Sequence, residues 1–234
     1  DPRVRRIFIL MLPVTISLGL INVQLVMSSF FAAHVDVSRF VDGLDPGAGP
    51  ALLDKAFRLY MLPQGIFSVA VSTVMFPVLS RFASRGDIAG FAGAVDQGLR
   101  RILVLLIPSA VFLGVFSTEV VRGLYEGGKF GDPETRAVAA VLAAYSIGLT
   151  FNGLSLMLIR SFFALKLTWL PTIVAAATLT VNVGLAYATY QQGGALAIAL
   201  ATATADATGT LLLYLLLAPR VQGLGTMRTV TVGF

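Results

Sequence analysis

Two charged residues stand inside long apolar stretches of this 234-residue chain, and both are of types that do chemistry. Arg58 lies within residues 51–83, ALLDKAFRLYMLPQGIFSVAVSTVMFPVLSRFA. A guanidinium keeps its proton, so inside a bilayer it needs water, a carboxylate or an anionic ligand. Two readings stand open. Arg58 pairs with Asp54, one turn back, and reaches for the interface; or it holds an anion. Gly65 and Ser72 follow Arg58 at intervals of seven residues. On a regular helix that spacing places all three on one stripe, as candidate substrate contacts.

Asp206 is the second case. It sits near the middle of ALAIALATATADATGT, residues 195–210. A carboxylate there costs roughly 2.5–3.5 kcal/mol on insertion scales, so it demands a proton, a cation or an arginine. The plain alternative is a protonated or threonine-bonded Asp that helps helices pack. Thr202 is one turn before it, and Gln24 and Ser28 are likewise one turn apart. With Asn182 these groups form a candidate cation site: Asn182, Thr202, Asp206, Ser28 and Gln24. Oxygen-rich cages of this kind suit hard cations. The ion expected is Na+ or a coupled proton, and no other cofactor is indicated.

The elements that carry these residues are membrane spans. The chain is 56% hydrophobic and 12% charged, with a mean hydropathy of +0.85. Soluble domains carry about 25% charged residues. A span needs about 20 apolar residues. Six such runs fit, near residues 7–33, 52–80, 102–118, 136–159, 169–190 and 195–217, giving an all-α polytopic bundle over residues 1–218. Residues 219–234 read as a polar tail or a truncated linker. Residues 87–99 read as a short amphipathic surface helix. The loops at 34–50 and 119–135 are polar, and GGKFGD at 127–132 reads as a turn.

The charge pattern orients the bundle. Arg3, Arg5, Arg6, Arg81, Arg85, Arg100, Arg101, Arg160, Lys166, Arg220 and Arg228 fall on one side. Arg39, Lys55, Arg122, Lys129 and Arg136 fall on the other. Basic residues gather on the cytoplasmic side, so both termini are expected there. The positive charge is thus a topology signal, and no nucleic-acid partner is expected. Without cysteine, and with His34 as the only histidine, thiolate chemistry and histidine metal clusters are excluded. No nucleophile elbow or phosphate loop occurs, so the chain reads as a transporter part and not as an enzyme.

Several runs resemble the MurJ/MviN lipid II flippases of the multidrug/oligosaccharidyl-lipid/polysaccharide exporter superfamily. They are AFRLYMLPQG at 56–65, VAVSTV at 69–74, FPVLS at 76–80, LYEGGKF at 124–130, YSIGL at 145–149 and RSFFA at 160–164, followed by Pro171. The resemblance covers only the second half of that family, its seventh to twelfth helices. It implies one six-helix lobe of an alternating-access exporter in the bacterial inner membrane. The partners implied are a lipid-linked pyrophosphate, membrane lipid and a missing N-terminal six-helix lobe.

Arg58 matches the family's cavity arginine, and its fork of donors suits a pyrophosphate. Asn182, Thr202 and Ile198 match positions that hold sodium in some members. Ser28 and Ala186 stand where those members have aspartates, and Met61, Phe163 and Leu167 also depart from the pattern. The alternatives are another exporter of the superfamily or a non-transporting membrane interaction fragment.

Overall fold

Proline inside a helix removes one backbone donor and crowds the preceding turn, and Pro63 marks the main irregularity of this fold. The structure, a computed structural model, describes residues 2–128 and 130–221. Within the first helix its side chains are described from Leu12 onward, apart from Val14, Leu18 and Ile21. Residues 222–234, most of the expected tail, lie outside the described residues, as does Lys129. Helix α1 runs Pro2–Ala33, so the basic lead at residues 2–6 is helical and continuous with the first span. A 3₁₀ turn at Val37–Arg39, capped by Asp36, interrupts the following loop.

The second span is one rod made of three parts. Helix α2, Gly49–Pro63, passes into a π-turn, Gln64–Val69, which continues as α3, Ala70–Arg85. A π-turn inserts one extra residue into the helical ladder. The residues beyond it are therefore rotated by about 100°, one residue's turn, against a regular helix.

Gly86, at φ +68°, ends α3, and Asp87 caps α4, Ile88–Val115, by accepting from the Gly90 N–H at 2.8 Å. Residues 87–99 are thus not a separate surface helix. Phe91, Val95, Leu99, Ile102 and Leu106 form one buried stripe, and Leu113 continues it beyond the exposed Pro108. The burial is uninterrupted, so the helix is too. At 28 residues α4 is about 42 Å long, against about 30 Å of hydrocarbon; its charged first half extends the rod past the membrane core. The expected third span also ends early. A separate helix α5, Ser117–Tyr125, occupies the first half of what reads as an outer loop. A tight turn then closes with paired Gly127–Phe130 backbone hydrogen bonds of 3.1 Å.

Helix α6, Asp132–Ala164, is the hub: it packs on α2, α3, α4, α5 and α7. Helix α7 covers Trp169–Leu217 but breaks at Gly194, where φ is +58° and ψ −145°. Only glycine adopts that conformation readily. In a straight helix, residues 182 and 202 would be about 30 Å apart. Instead the Asn182 amide donates to the Thr202 hydroxyl at 3.1 Å. The two arms of α7 therefore run back along each other. Five stretches of the described residues are long and apolar enough to cross a membrane. The last is this folded pair, so the described residues hold six arms of that kind. Helix α1 packs on α7 and α2, and a cavity lies between it and α6.

Candidate functional site

The cavity has a volume of about 350 Å³. Helix α1 contributes Ser17, Gln24 and Ser28; the second rod contributes Tyr60, Met61 and Gln64. Helix α6 adds Tyr145, Asn152 and Ser155, and α7 adds Thr178, Thr202 and Asp206. The rings of Phe57, Tyr60 and Tyr145 pack edge to face and face to face with centroids 5.6–5.9 Å apart, forming one aromatic wall. Asp206 is the only charged side chain among the described residues that line the cavity.

The five residues of the expected cation site do not bond to one another as a single cage. Asn182 is buried and donates to Thr202, and Thr202 in turn lies 3.1 Å from the Ile198 carbonyl. Gln24 and Ser28 face the same cavity from α1. The Asp206 carboxylate is satisfied from elsewhere: it accepts from the Asn152 amide at 3.2 Å. The Asn152 carbonyl accepts in turn from the Gln64 amide. One turn along α7, the Thr210 hydroxyl lies 2.8 Å from the Ser155 hydroxyl and 2.7 Å from the Phe151 carbonyl. Helix α6 thus supplies the partners that were expected from α1 and from the first arm of α7. The reason is packing: α6 is the hub, and it runs beside the second arm where Gly148 approaches Ala203 closely.

The stripe expected for Arg58, Gly65 and Ser72 is also divided. Arg58 is exposed and pairs with Asp54 at 2.8 Å. None of the three lines the cavity, whereas their neighbours Phe57, Tyr60, Met61 and Gln64 do. Gly65 is exposed as well, whereas Ser72 is fully buried. The π-turn between them causes this, since its extra residue turns Ser72 inward. The Ser68 and Ser72 hydroxyls meet no hydrogen-bond partner among the described residues.

A family profile described as lipid II flippase MurJ matches residues 1–232. The chain belongs to the MurJ family. It is 33% identical over 189 residues to a probable lipid II flippase MurJ of Rhizobium meliloti (strain 1021), an alignment covering 81% of this chain and 33% of that protein. It is 37% identical over 131 residues to the lipid II flippase MurJ of Thermosipho africanus (strain TCF52B), covering 56% of this chain and 26% of that one. A solved structure of lipid II flippase MurJ, in an inward closed conformation, aligns with a TM-score of 0.67 and 34% identity. That alignment covers 74% of this chain and 36% of the solved one. The chain therefore spans about a third of the length of the MurJ proteins it matches.

Two residues of this MurJ lobe gain their meaning from the structure. Asn152 and Gln64 are the direct links between Asp206 and the second rod. The sequence does hold a signal for each. Asn152 is the only amide side chain in the apolar run 136–159, and Gln64 directly follows Pro63. An amide in such a place needs a partner across a helix interface.

Proposed function

We propose that this chain is the second lobe of a lipid II flippase. In this reading it rocks against a first six-helix lobe to carry a lipid-linked pyrophosphate across the bacterial inner membrane by alternating access. One observation carries the proposal: a polar-lined cavity, bordered by the helix that bears Arg58, sits inside the membrane bundle of a MurJ-family chain. Arg58 presents an exposed guanidinium on the helix that borders that cavity, outside the cavity's lining. Its present partner, Asp54, is an exposed carboxylate, and a multiply charged pyrophosphate competes well for such a site. Met61 and Gln64 continue the same rod toward the cavity wall. The aromatic wall offers faces for the apolar part of the cargo.

The test is complementation. The complete protein that contains this chain should sustain growth and wall synthesis in cells depleted of their own flippase. Lysis at the rate of the empty-vector control would refute the proposal. Orientation is checked separately. Both termini are placed in the cytoplasm, so Asp42→Cys and Gly123→Cys, at exposed positions, should react with an impermeant thiol reagent from outside. Reaction only after lysis would reverse the topology.

A further inference from the structure

The direction of the hydrogen bonds around Asp206 is chemically forced. An ionised carboxylate only accepts, so Asn152 must offer its NH₂ to Asp206. The Asn152 carbonyl then faces Gln64, which must donate. The result is a wire with one polarity, Gln64 to Asn152 to Asp206. It crosses three elements and ends at the first residue of the π-turn.

Within this wire, Asp206 has an amide for a partner and no cation. The salt bridges among the described residues all lie elsewhere, and Arg58 pairs with Asp54. Among the described residues, those that face Asp206 across the cavity include no basic group: Gln24 and Ser28 from α1, Tyr60 and Gln64 from the second rod, Tyr145, Asn152 and Ser155 from α6, and Thr178 from the first arm of α7. Tyr60 and Tyr145 are the only other titratable groups among the described residues there. Several of the nearby oxygens are already engaged. Asn152 Oδ1 accepts from Gln64, Thr202 accepts from Asn182, and Thr210 sits among Ser155, Phe151 and its own preceding turn. A hard metal ion wants a shell of about six or more oxygens. A proton wants one.

We propose that Asp206 is a proton-binding site and that the Asn152–Gln64 wire transmits its protonation to the π-turn. A proton taken from cavity water adds to the carboxylate and gives a neutral acid, which carries an O–H donor. Asp206 can then donate to the Asn152 carbonyl, Asn152 to the Gln64 carbonyl, and the whole wire reverses. The reversed bonds are neutral, and neutral hydrogen bonds are roughly half as strong as those to a charged group. Only the Asn152–Asp206 bond loses a charged partner, since the Gln64–Asn152 bond joins two amides in both states. Asn152 is then held less firmly and Gln64 must turn its carbonyl toward it, so the π-turn is free to re-form as regular helix and to change the alignment of α2 with α3. This inference holds whichever lipid-linked cargo is carried.

The experiment uses the complete protein in proteoliposomes, with labelling cysteines only at Leu62 and Val74. Both are exposed, and they flank the π-turn. The spin–spin distance between nitroxides there should shift between mildly alkaline and mildly acidic pH. Asp206→Asn should fix it at the acid value. Gln64→Leu should abolish the shift while the infrared carboxyl band of Asp206 still titrates. An unchanged wild-type distance, or a shift retained in either variant, overturns the proposal. If Asp206→Asn does not assemble, the Gln64→Leu arm decides alone on the same criterion. Sodium added at fixed alkaline pH should leave the distance alone; reproduction of the acid value by sodium overturns the proton in favour of a metal ion. Complementation scores the flippase reading separately, so either idea can fail without the other.

Discussion

The interior of this bundle and the end that carries the 34–50 and 119–135 loops use similar residue types under opposite conditions. Inside, one carboxylate and two amides form a connected chain in a cavity whose described lining holds no basic side chain. At the loop end, Arg39 pairs with Asp36, Arg58 with Asp54, and Arg122 with both Glu126 and Asp132. Arg136 also reaches Asp132. The pairs at the loop end are exposed, where water and salt compete and each pair contributes little. The inner chain is shielded, so every unmet group there carries its full desolvation cost. Polar groups therefore stabilise and couple helices inside, whereas at the rim they remain free to change partners. The substrate-binding role proposed for Arg58 suits the second environment, and the coupling role proposed for Asp206 the first.

The strongest test of this contrast is Asn152→Leu. It strands the Gln64 amide and the Asp206 carboxylate together, so the loss should be about 3 kcal/mol, the upper end for an unsatisfied buried partner. Thermal unfolding in detergent micelles would measure it. A variant as stable as wild type would show that water replaces the amide and that the inner chain is not connected.

Gly194→Ala comes next, at about 2 kcal/mol for forcing a side chain into a glycine backbone conformation. The added Cβ would also lie 2.9 Å from the Phe40 ring. The same unfolding assay applies, and a midpoint within error of wild type would mean that the reversal of α7 tolerates another geometry.

Arg58→Ala separates stability from function. Unfolding should stay within experimental scatter, because the Arg58–Asp54 pair is exposed, while export by the complete protein should be lost. Arg58→Lys should rescue poorly, since a point charge replaces a two-pronged donor. Full complementation by Arg58→Ala would remove Arg58 from the site.

The smallest effect concerns Asp36 in the 34–50 loop. Hydrogen bonds from Ser38, helped by Arg39, hold its carboxyl below the usual carboxylate range. A depressed folded value contributes stability above the unfolded pKa and loses it as pH falls through the folded value. Hydrogen exchange of the Val37–Arg39 turn should therefore quicken only in distinctly acidic solution, and Ser38→Ala should move that onset to higher pH. Exchange independent of pH, after correction for its intrinsic rate, would show that the cap does not hold the turn.

Residue by residue, the sequence carried different parts of this picture unequally. Apolar run length and charge placement announce a helical membrane protein, because a bilayer imposes length and polarity on any segment that crosses it. The YQQGG turn between residues 190 and 194 was legible for the same reason, since a run of 49 residues is too long for one crossing. The division between surface helix and span in α4 was misleading: Arg100 and Arg101 look like a boundary, but the buried stripe on the opposite face passes them unbroken. The heptad spacing of Arg58, Gly65 and Ser72 failed for a local reason, since periodicity assumes an unbroken α-helical ladder and a π-turn intervenes.

What the sequence determined by itself was the class of molecule, its membrane passes and the two charges that a bilayer would not tolerate without cause. Those follow from solvent: hydrocarbon penalises charge wherever the chain folds. Only the tertiary structure decided which groups answer those charges. Asp206 finds Asn152, 54 residues away, and not Asn182, because partners are chosen by which helix faces meet. That choice depends on one extra residue in a π-turn, one glycine that reverses α7 and the central position of α6.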